Sequence, residues 1–337
     1  MSEQIGAVLV VNAGSTSLKL TSVDRDERST TVGSLEDAAR QVDAVAHRIV
    51  HGGARLRDPV VLDDAVEREL EALTELAPLH NGPAVEAIAA AKKVVPGVPH
   101  VAVFDTAFHA TLPDEAVTYA LPRRLREELG IRRYGFHGLS VEWAATQVRV
   151  PRLVVCHLGG GCSVTAVLDG RSVDTTMGFT PLEGVPMATR AGSVDPGAIL
   201  QLLRSGRVTF GELEHLLEHE SGLLGLGGSS DPRVLAGTPA LEVYTYRIAT
   251  AVGAMAVALD GIDALVFTAG VGEHSAEVRE RVCARLAFLG VELDVDANRD
   301  AMADAEVAAA GSAVKIVVLH AREEVVAARA VRRLLDV

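Results

Sequence analysis

The chain has 337 residues, more than one hydrophobic core usually serves, so two domains are expected. Hydrophobic residues make up 48% and charged residues 23%, which suits a folded chain and excludes a disordered one. The formal net charge of -13, from 32 basic and 45 acidic residues, argues against general binding to nucleic acid or to an anionic membrane.

In chain order, Ala7 to Val11 reads as a strand ending in the turn-like Asn12-Ala13-Gly14-Ser15. Leu18 to Val23 alternates apolar and polar residues, as a half-buried strand does. Ser22 to Gly33 is polar and loop-like. Asp63 to Leu76 carries Val66, Leu70 and Leu73 at helical spacing, and Asn81-Gly82-Pro83 starts a helix to about Val95. His100 to Phe104 is a short buried strand, closed by Asp105-Thr106. Leu153 to Cys156 and Val164 to Leu168 flank the turn Gly159-Gly160-Gly161-Cys162-Ser163, and Asp169-Gly170 signals a hairpin. Strand, Gly/Ser turn, strand thus occurs twice, which reads as an internal duplication.

Thr209 and Glu212 form a capping box for a helix to about His219. Gly222 to Gly237 is Gly- and Ser-rich and reads as a loop. Leu241 to Leu259 is a long, largely buried helix. Ala264 to Thr268 is a strand, Ala269 to Gly272 a turn, and Ser275 caps a helix to Phe288 that Gly290 stops. Val314 to Leu319 and Glu323 to Leu335 close the chain as strand and helix. Alternating strands and helices imply α/β layers, with hairpins that preclude a purely parallel sheet.

The cysteines Cys156, Cys162 and Cys283 form no C-x-x-C pair, and their odd number argues for a reduced cytoplasmic setting. No basic-then-apolar leader opens the sequence. The longest uncharged apolar run, Ile248 to Leu259, is shorter than the roughly 20 residues that span a bilayer.

The first turn, from Asn12 to Lys19, and the second, from Gly159 to Ser163, are candidate anion nests, with an ordinary hairpin as the alternative for each. Neither a P-loop, a dinucleotide fingerprint nor a protein-kinase signature is present. Arg48, between His47 and His51, and Arg190, beside Ala191-Gly192, are candidate clamps for a phosphoryl group or a carboxylate. A solvated surface arginine is the alternative in each case. Asp105 follows a strand, where α/β crevices bind ligands, or else it caps the next turn. His137, with glycines and aromatics around it, is of a kind more often structural than catalytic.

An ordered set of motifs carries a resemblance. It comprises Val10-Val11-Asn12-Ala13-Gly14-Ser15-Thr16-Ser17-Leu18-Lys19, His47 to Gly53, Pro78-Leu79-His80-Asn81, Phe104-Asp105-Thr106-Ala107-Phe108-His109 and Tyr134-Gly135-Phe136-His137-Gly138. It continues through Thr180-Pro181-Leu182-Glu183-Gly184, Thr189-Arg190, Asp195-Pro196-Gly197, Ser229-Ser230-Asp231, Thr268 to Glu273 and Glu323-Glu324. From about residue 7 onward the chain resembles the acetate kinases of the acetate and sugar kinase, Hsp70 and actin superfamily.

The resemblance implies two duplicated actin/Hsp70-like (ribonuclease H-like) α/β domains around an interdomain ATP cleft. One would hold residues 1–107 with about 324–337, the other 108–323. It implies reversible phosphoryl transfer from ATP to acetate, with Mg2+ or Mn2+ as cofactor, in a homodimer joined through the second domain. Propionate and butyrate remain alternative acceptors, and a non-catalytic ATP-binding module an alternative of another class.

By the same resemblance, Asn12 and His137 contact the transferring phosphoryl group. Arg48 and Arg190 hold the carboxylate and offset transition-state charge. Asp105 orients groups near the acceptor, and Asn12 and Glu323 serve the metal. Lys19, His157, Gly159, Gly160 and Gly161 face the phosphates. Asp231, Pro232 and Arg233, with Gly270, Val271, Gly272, Glu273 and His274, line the nucleotide pocket. Val50, Leu79, Phe136 and Pro181 form the acyl pocket. Gly160, His274 and Arg322 each stand where the family usually has Asn, and the stretch between Asn12 and His47 is short for the family.

Overall fold

The computed structural model describes residues 5–13, 18–39, 41–74 and 78–336, with backbone alone for 78–80. Strands β1 (Val8–Ala13), β2 (Leu18–Val23), β3 (Ser29–Thr31), β4 (Ala44–Ile49), β5 (Val60–Val61) and β6 (His100–Phe104) make one sheet, in the order β3-β2-β1-β4-β6-β5. Strands β7 (Arg152–Leu158), β8 (Cys162–Leu168), β9 (Arg171–Thr175), β10 (Ala264–Thr268), β11 (Ala305–Glu306) and β12 (Lys315–Leu319) make a second, in the order β11-β12-β10-β7-β8-β9. Read from the hairpin side, the two orders are the same. In each, two antiparallel pairings lead to the central strand, two parallel ones follow, and a short antiparallel strand closes the edge. The duplication expected from the two Gly/Ser turns is therefore a duplication of whole sheets.

The central strands of each sheet bury both faces, so their residues sort by period two. Val8 and Val10 of β1 enter a core shared by both sheets, whereas Leu9 and Val11 face an outer core. In β10, Ala264 and Val266 enter the shared core, and Leu265 and Phe267 the outer core of the second sheet. Two helices, Gly138–Gln147 and Glu323–Leu335, lie in the shared core between the sheets. The second of these follows β12, yet it packs on β1, β4 and β6 of the other sheet. Arg332 anchors it there by donating to the carbonyls of Gly6, Val23 and Asp24 at 2.9, 2.9 and 2.8 Å.

Most expected elements are present, with differences that have local causes. The helix expected from Asn81 begins at Pro78, and Pro83 lies inside it, where the missing N–H removes one ladder bond without ending the helix. The expected turn after Thr268 is a short helix, Ala269–His274, whose terminal carbonyls are taken up by Arg279. The helix after Ser275 stops at Ala284, and a 3-10 turn, Ala287–Leu289, precedes Gly290. The two segments read as loops contain β3 and the helix Gly222–Gly227. Asp169 and Gly170, both at positive φ, make the expected hairpin turn. No helix among the described residues is long and apolar enough to cross a membrane.

His47, His51, His100, His109 and His157 are buried in these layers. Burial pushes His47 down to about 3, with His100 adding to the effect, and pushes His51 and His109 down to about 4. A base whose folded-state pKa lies below its unfolded value loses stability as pH falls beneath that unfolded value, about 6.5 for His. The expected result is a urea midpoint that drops between pH 7 and pH 5, with about 2 kcal/mol of the loss due to His47. His47→Gln should flatten the pH dependence by that amount. A variant whose slope matches the parent's would exclude His47 as a source.

Candidate active site

Register assembles the first half of the site. The parallel pairing of β1 with β4 sets Asn12 beside Arg48, and β4 with β6 sets Ile49 beside Phe104, so Asp105 follows at the same level. Three neighbouring strands thus end in an amide, a guanidinium and a carboxylate. Arg48 donates from Nε and Nη2 to the two Asp105 oxygens at 2.9 and 2.5 Å, and from Nη1 to Asn12 Oδ1 at 3.1 Å. Glu323, at the start of the final helix, brings Oε2 to 3.4 Å from Arg48 Nε. The Asp105 side chain is 2% exposed, while Arg48 and Glu323 keep 17% and 19%, so the pair opens to the cleft on the Arg48 side.

Two carboxylates around one guanidinium leave the cluster short of positive charge. Burial pushes Asp105 up to about 6; Arg48 opposes this and Glu323 adds to it. Burial also works against the Arg48 charge, but Asp105 and Glu323 outweigh it and hold the guanidinium above its ordinary range.

The second half comes from the matching sheet. His157 in β7 stands beside Thr268 in β10, which stands beside Leu319 in β12. The His137 ring stacks on His157 with centroids 3.9 Å apart. Each ring is held from behind, His137 Nδ1 by Ser163 Oγ at 2.9 Å and His157 Nδ1 by Ser140 Oγ at 2.8 Å. His137 has φ +59°, rare for a side-chain-bearing residue and a mark of imposed geometry. Its neighbour Gly138 explains the tolerance. The Gly138 N–H donates to the Asp105 carbonyl at 2.8 Å, and a Cβ there would stand 2.2 Å from that same oxygen. Burial first, then His157, Arg48 and Arg190, hold His137 well below the usual imidazole range.

Arg190 approaches from the second domain. Its Nη1 lies 3.6 Å, and His137 Nε2 3.1 Å, from where a Cβ on Gly161 would be, so the glycine leaves room for both. Arg190 Nε donates to Glu218 Oε2 at 3.1 Å.

Two cavities adjoin part of this set, while Asp105, His137 and Arg190 line neither. One, of about 370 Å3, is lined by Asn12, Lys19, Arg48, His157, Glu273 and Glu323. The other, of about 420 Å3, is lined by Gly159, Gly160, Asp231, Pro232, Arg233 and Val271. Gly270 and His274 line both, which makes them adjoining chambers. Asp231 and Arg233 pair with each other at 2.7 Å at the rim. Gly272 is buried and offers its carbonyl to Arg279. A more spacious cavity, about 720 Å3, lies elsewhere, by Phe108, Val148 and Arg171; it holds no expected site residue and shares Leu139 alone with the cleft.

The expected acyl pocket is less open. Phe136 and Pro181 are buried, and Val50 is half-buried against the second-domain core. They line neither of the two chambers, although Val50 and Phe136 lie within two residues of Arg48 and His137. The Leu79 side chain and residues 14–17 of the first turn lie outside the described residues. Glu218, Ser140 and Arg279 were not anticipated, and Ser163, expected in the glycine turn, holds His137 instead. A polar residue that holds another side chain gives no signal of its own in a sequence.

The geometry has counterparts among known proteins. A sequence model of the Acetokinase family matches residues 30–329. The acetate kinase of Protochlamydia amoebophila is 44% identical over 298 residues, covering 84% of this chain and 75% of that protein. That of Rhodopseudomonas palustris is 45% identical over 328 residues, covering 92% and 82%. Among solved structures, a propionate kinase from Francisella tularensis superposes with a TM-score of 0.89 at 31% identity, over 96% of this chain and 98% of that one. An acetate kinase from Porphyromonas gingivalis does so with 0.85 at 31% identity, over 98% and 100%. The chain belongs to the Acetokinase family.

Proposed function

We propose that this protein is an ATP-dependent acetate kinase, converting acetate and ATP to acetyl phosphate and ADP by direct in-line transfer. The observation that carries the reading is the contact of Arg48 with Asp105 and Glu323, together with the gathering of Arg48, His157 and Arg190 around His137. A non-catalytic nucleotide-binding module would have no need of that cluster.

Acetate is ionised at neutral pH, so its attacking oxygen needs no general base. The work left is positioning and charge neutralisation. Arg48 and Arg190 flank the transferring group, one from each domain. His137 stays neutral. With the Ser163 hydroxyl donating to Nδ1, its Nε2–H faces the cleft beside Gly161 and can donate to a phosphoryl oxygen. Nucleotide occupies the chamber between Gly159-Gly160 and Asp231-Pro232-Arg233, with Lys19, His157 and the helix Ala269–His274 towards its phosphates. Val50, Phe136 and Pro181, with Leu79, take the methyl group.

The oxygens of Asn12, Asp105 and Glu323 suit a hard divalent cation, and two carboxylates beside the one Arg48 guanidinium leave a negative charge for it to offset. Mg2+ held by these residues would offset the negative charge of the nucleotide's phosphates. The domain division at 1–107 with 324–337, against 108–323, agrees with the final helix packing on the first sheet. A cytoplasmic homodimer joined through the second domain completes the proposal. Phe210, Tyr246 and Val257, exposed at 74, 49 and 84%, supply apolar surface for it.

A hydroxamate assay with acetate, ATP and Mg2+ tests the activity directly, and absence of acyl phosphate would refute it. Arg190→Ala should lower kcat/KM by at least ~10²-fold, as loss of a transition-state charge partner does. Near-parental turnover would remove Arg190 from the reaction. The likeness to a propionate kinase gives a second reading. The ratio of kcat/KM for acetate to that for propionate decides, and one methylene changes it by about 10- to 200-fold.

Gly160 offers a gain-of-contact test, because nothing stands within 4 Å of a Cβ built there. Gly160→Asn should add one phosphate contact and lower the KM for ATP by roughly 3- to 10-fold. An unchanged or higher KM would show that this loop does not face the phosphates.

A further inference from the structure

Glu273 lines one chamber of the cleft, as expected, but its carboxylate is already engaged by His320 and Ala321 of the chamber wall. The residue is 5% exposed, near the end of the helix Ala269–His274. Its Oε1 accepts from the Ala321 N–H at 3.0 Å, and its Oε2 bonds His320 Nδ1 at 2.6 Å. The same stretch is gripped from two other directions. Asp304 accepts from the His320 N–H at 3.0 Å and from Arg322 Nη2 at 2.6 Å. Trp143, on the helix Gly138–Gln147, donates from Nε1 to the His320 carbonyl at 3.0 Å, and the Arg322 guanidinium lies 5.3 Å over its ring. Residues 320–322 thus form a strap held by three elements, and the next residue is Glu323, 3.4 Å from Arg48.

The helix bearing Glu273 is itself clamped. Arg279, 1% exposed, donates from Nη1 to the carbonyls of Gly272 and Glu273 at 2.9 and 2.8 Å, and from Nε to Asn298 at 2.7 Å. A rigid chain of contacts therefore runs from Arg279 through Glu273 and the strap to Glu323. Gly270 and His274, on the same short helix, face both chambers of the cleft.

We propose that Glu273 is a positioning residue and not a nucleotide ligand: its carboxylate ties the nucleotide-side helix to the strap and so sets where Glu323 stands against Arg48 and a magnesium nucleotide. The proposal rests on the kinase reading above. Partners behind a metal ligand commonly change metal affinity by about 10- to 100-fold when removed. The tie is therefore read in the metal dependence of nucleotide binding, which needs no turnover.

The test measures the Kd of a fluorescent ADP analogue with and without Mg2+, in the parent and in Glu273→Gln. Glutamine keeps the volume but cannot accept both bonds at full strength. The expected result is an unchanged metal-free Kd, within about 2-fold, and a Mg2+ enhancement of binding reduced by ~5-fold or more. Trp143→Phe, which releases the His320 carbonyl, should shift the enhancement the same way by less. Metal-free binding that weakens in Glu273→Gln would make Glu273 a direct ligand and overturn the proposal. An enhancement retained in full would overturn the tie alone. A parent that binds ADP equally with and without Mg2+ would overturn the metal reading and the tie together.

Discussion

The guanidinium of Arg48 is held by Asp105 and Asn12, with Glu323 within ion-pair reach, and the cleft is organised around that contact. Strand register sets Asn12 and Asp105 on either side of it, and the final helix delivers Glu323 from the far end of the chain. Burial gives these charges their strength, because a carboxylate removed from water interacts far more strongly with its neighbours than an exposed one. It also leaves one negative charge in excess, which suits a site that must receive a cation with its nucleotide. Removing Arg48 would leave that excess larger, so Arg190, which lies across the cleft, is the cleaner probe of catalysis.

Duplication of the sheet explains why the site has two halves. Each sheet ends its parallel strands near the cleft, and the glycine turn between β7 and β8 lines one of its chambers. The first half is rich in charge; the second supplies His157, the glycine loop and the pocket beyond. The helices Gly138–Gln147 and Glu323–Leu335 lie between the sheets in a common core. One begins beside His137 and the other with Glu323, so each helix that separates the sheets also carries a site residue at its start. A change in the angle between the sheets would move both.

Much of this was legible in the sequence. The alternating stretch Leu18–Val23 and the apolar runs His100–Phe104 and Ala264–Thr268 fold as the strands their patterns suggest, and the capping box at Thr209 starts its helix where expected. The strand Ala44–Ile49 was not legible, because it carries His47 and Arg48 in its middle. His47 is accommodated by a bond to His100 in the neighbouring strand, at 2.9 Å, and Arg48 by Asp105 and Asn12 at the strand ends. The helix Ala269–His274 holds two glycines and owes its order to a buried arginine seven residues beyond Gly272. The charged groups that would touch substrate were recognisable from their motifs. Their supports, Glu218, Ser163, Trp143 and Asp304, look like ordinary surface or core residues until the partner is seen.

A crystal structure with ADP, Mg2+, acetate and a planar aluminium fluoride in place of the transferring phosphoryl group would examine the charge clamp at the moment it acts. The fluoride should lie between Arg48 and Arg190, within hydrogen-bond reach of both guanidinium groups and of His137 Nε2. A nucleotide seated in the cleft with either arginine still turned onto its resting carboxylate, away from the fluoride, would show that the two guanidinium groups do not share the developing charge.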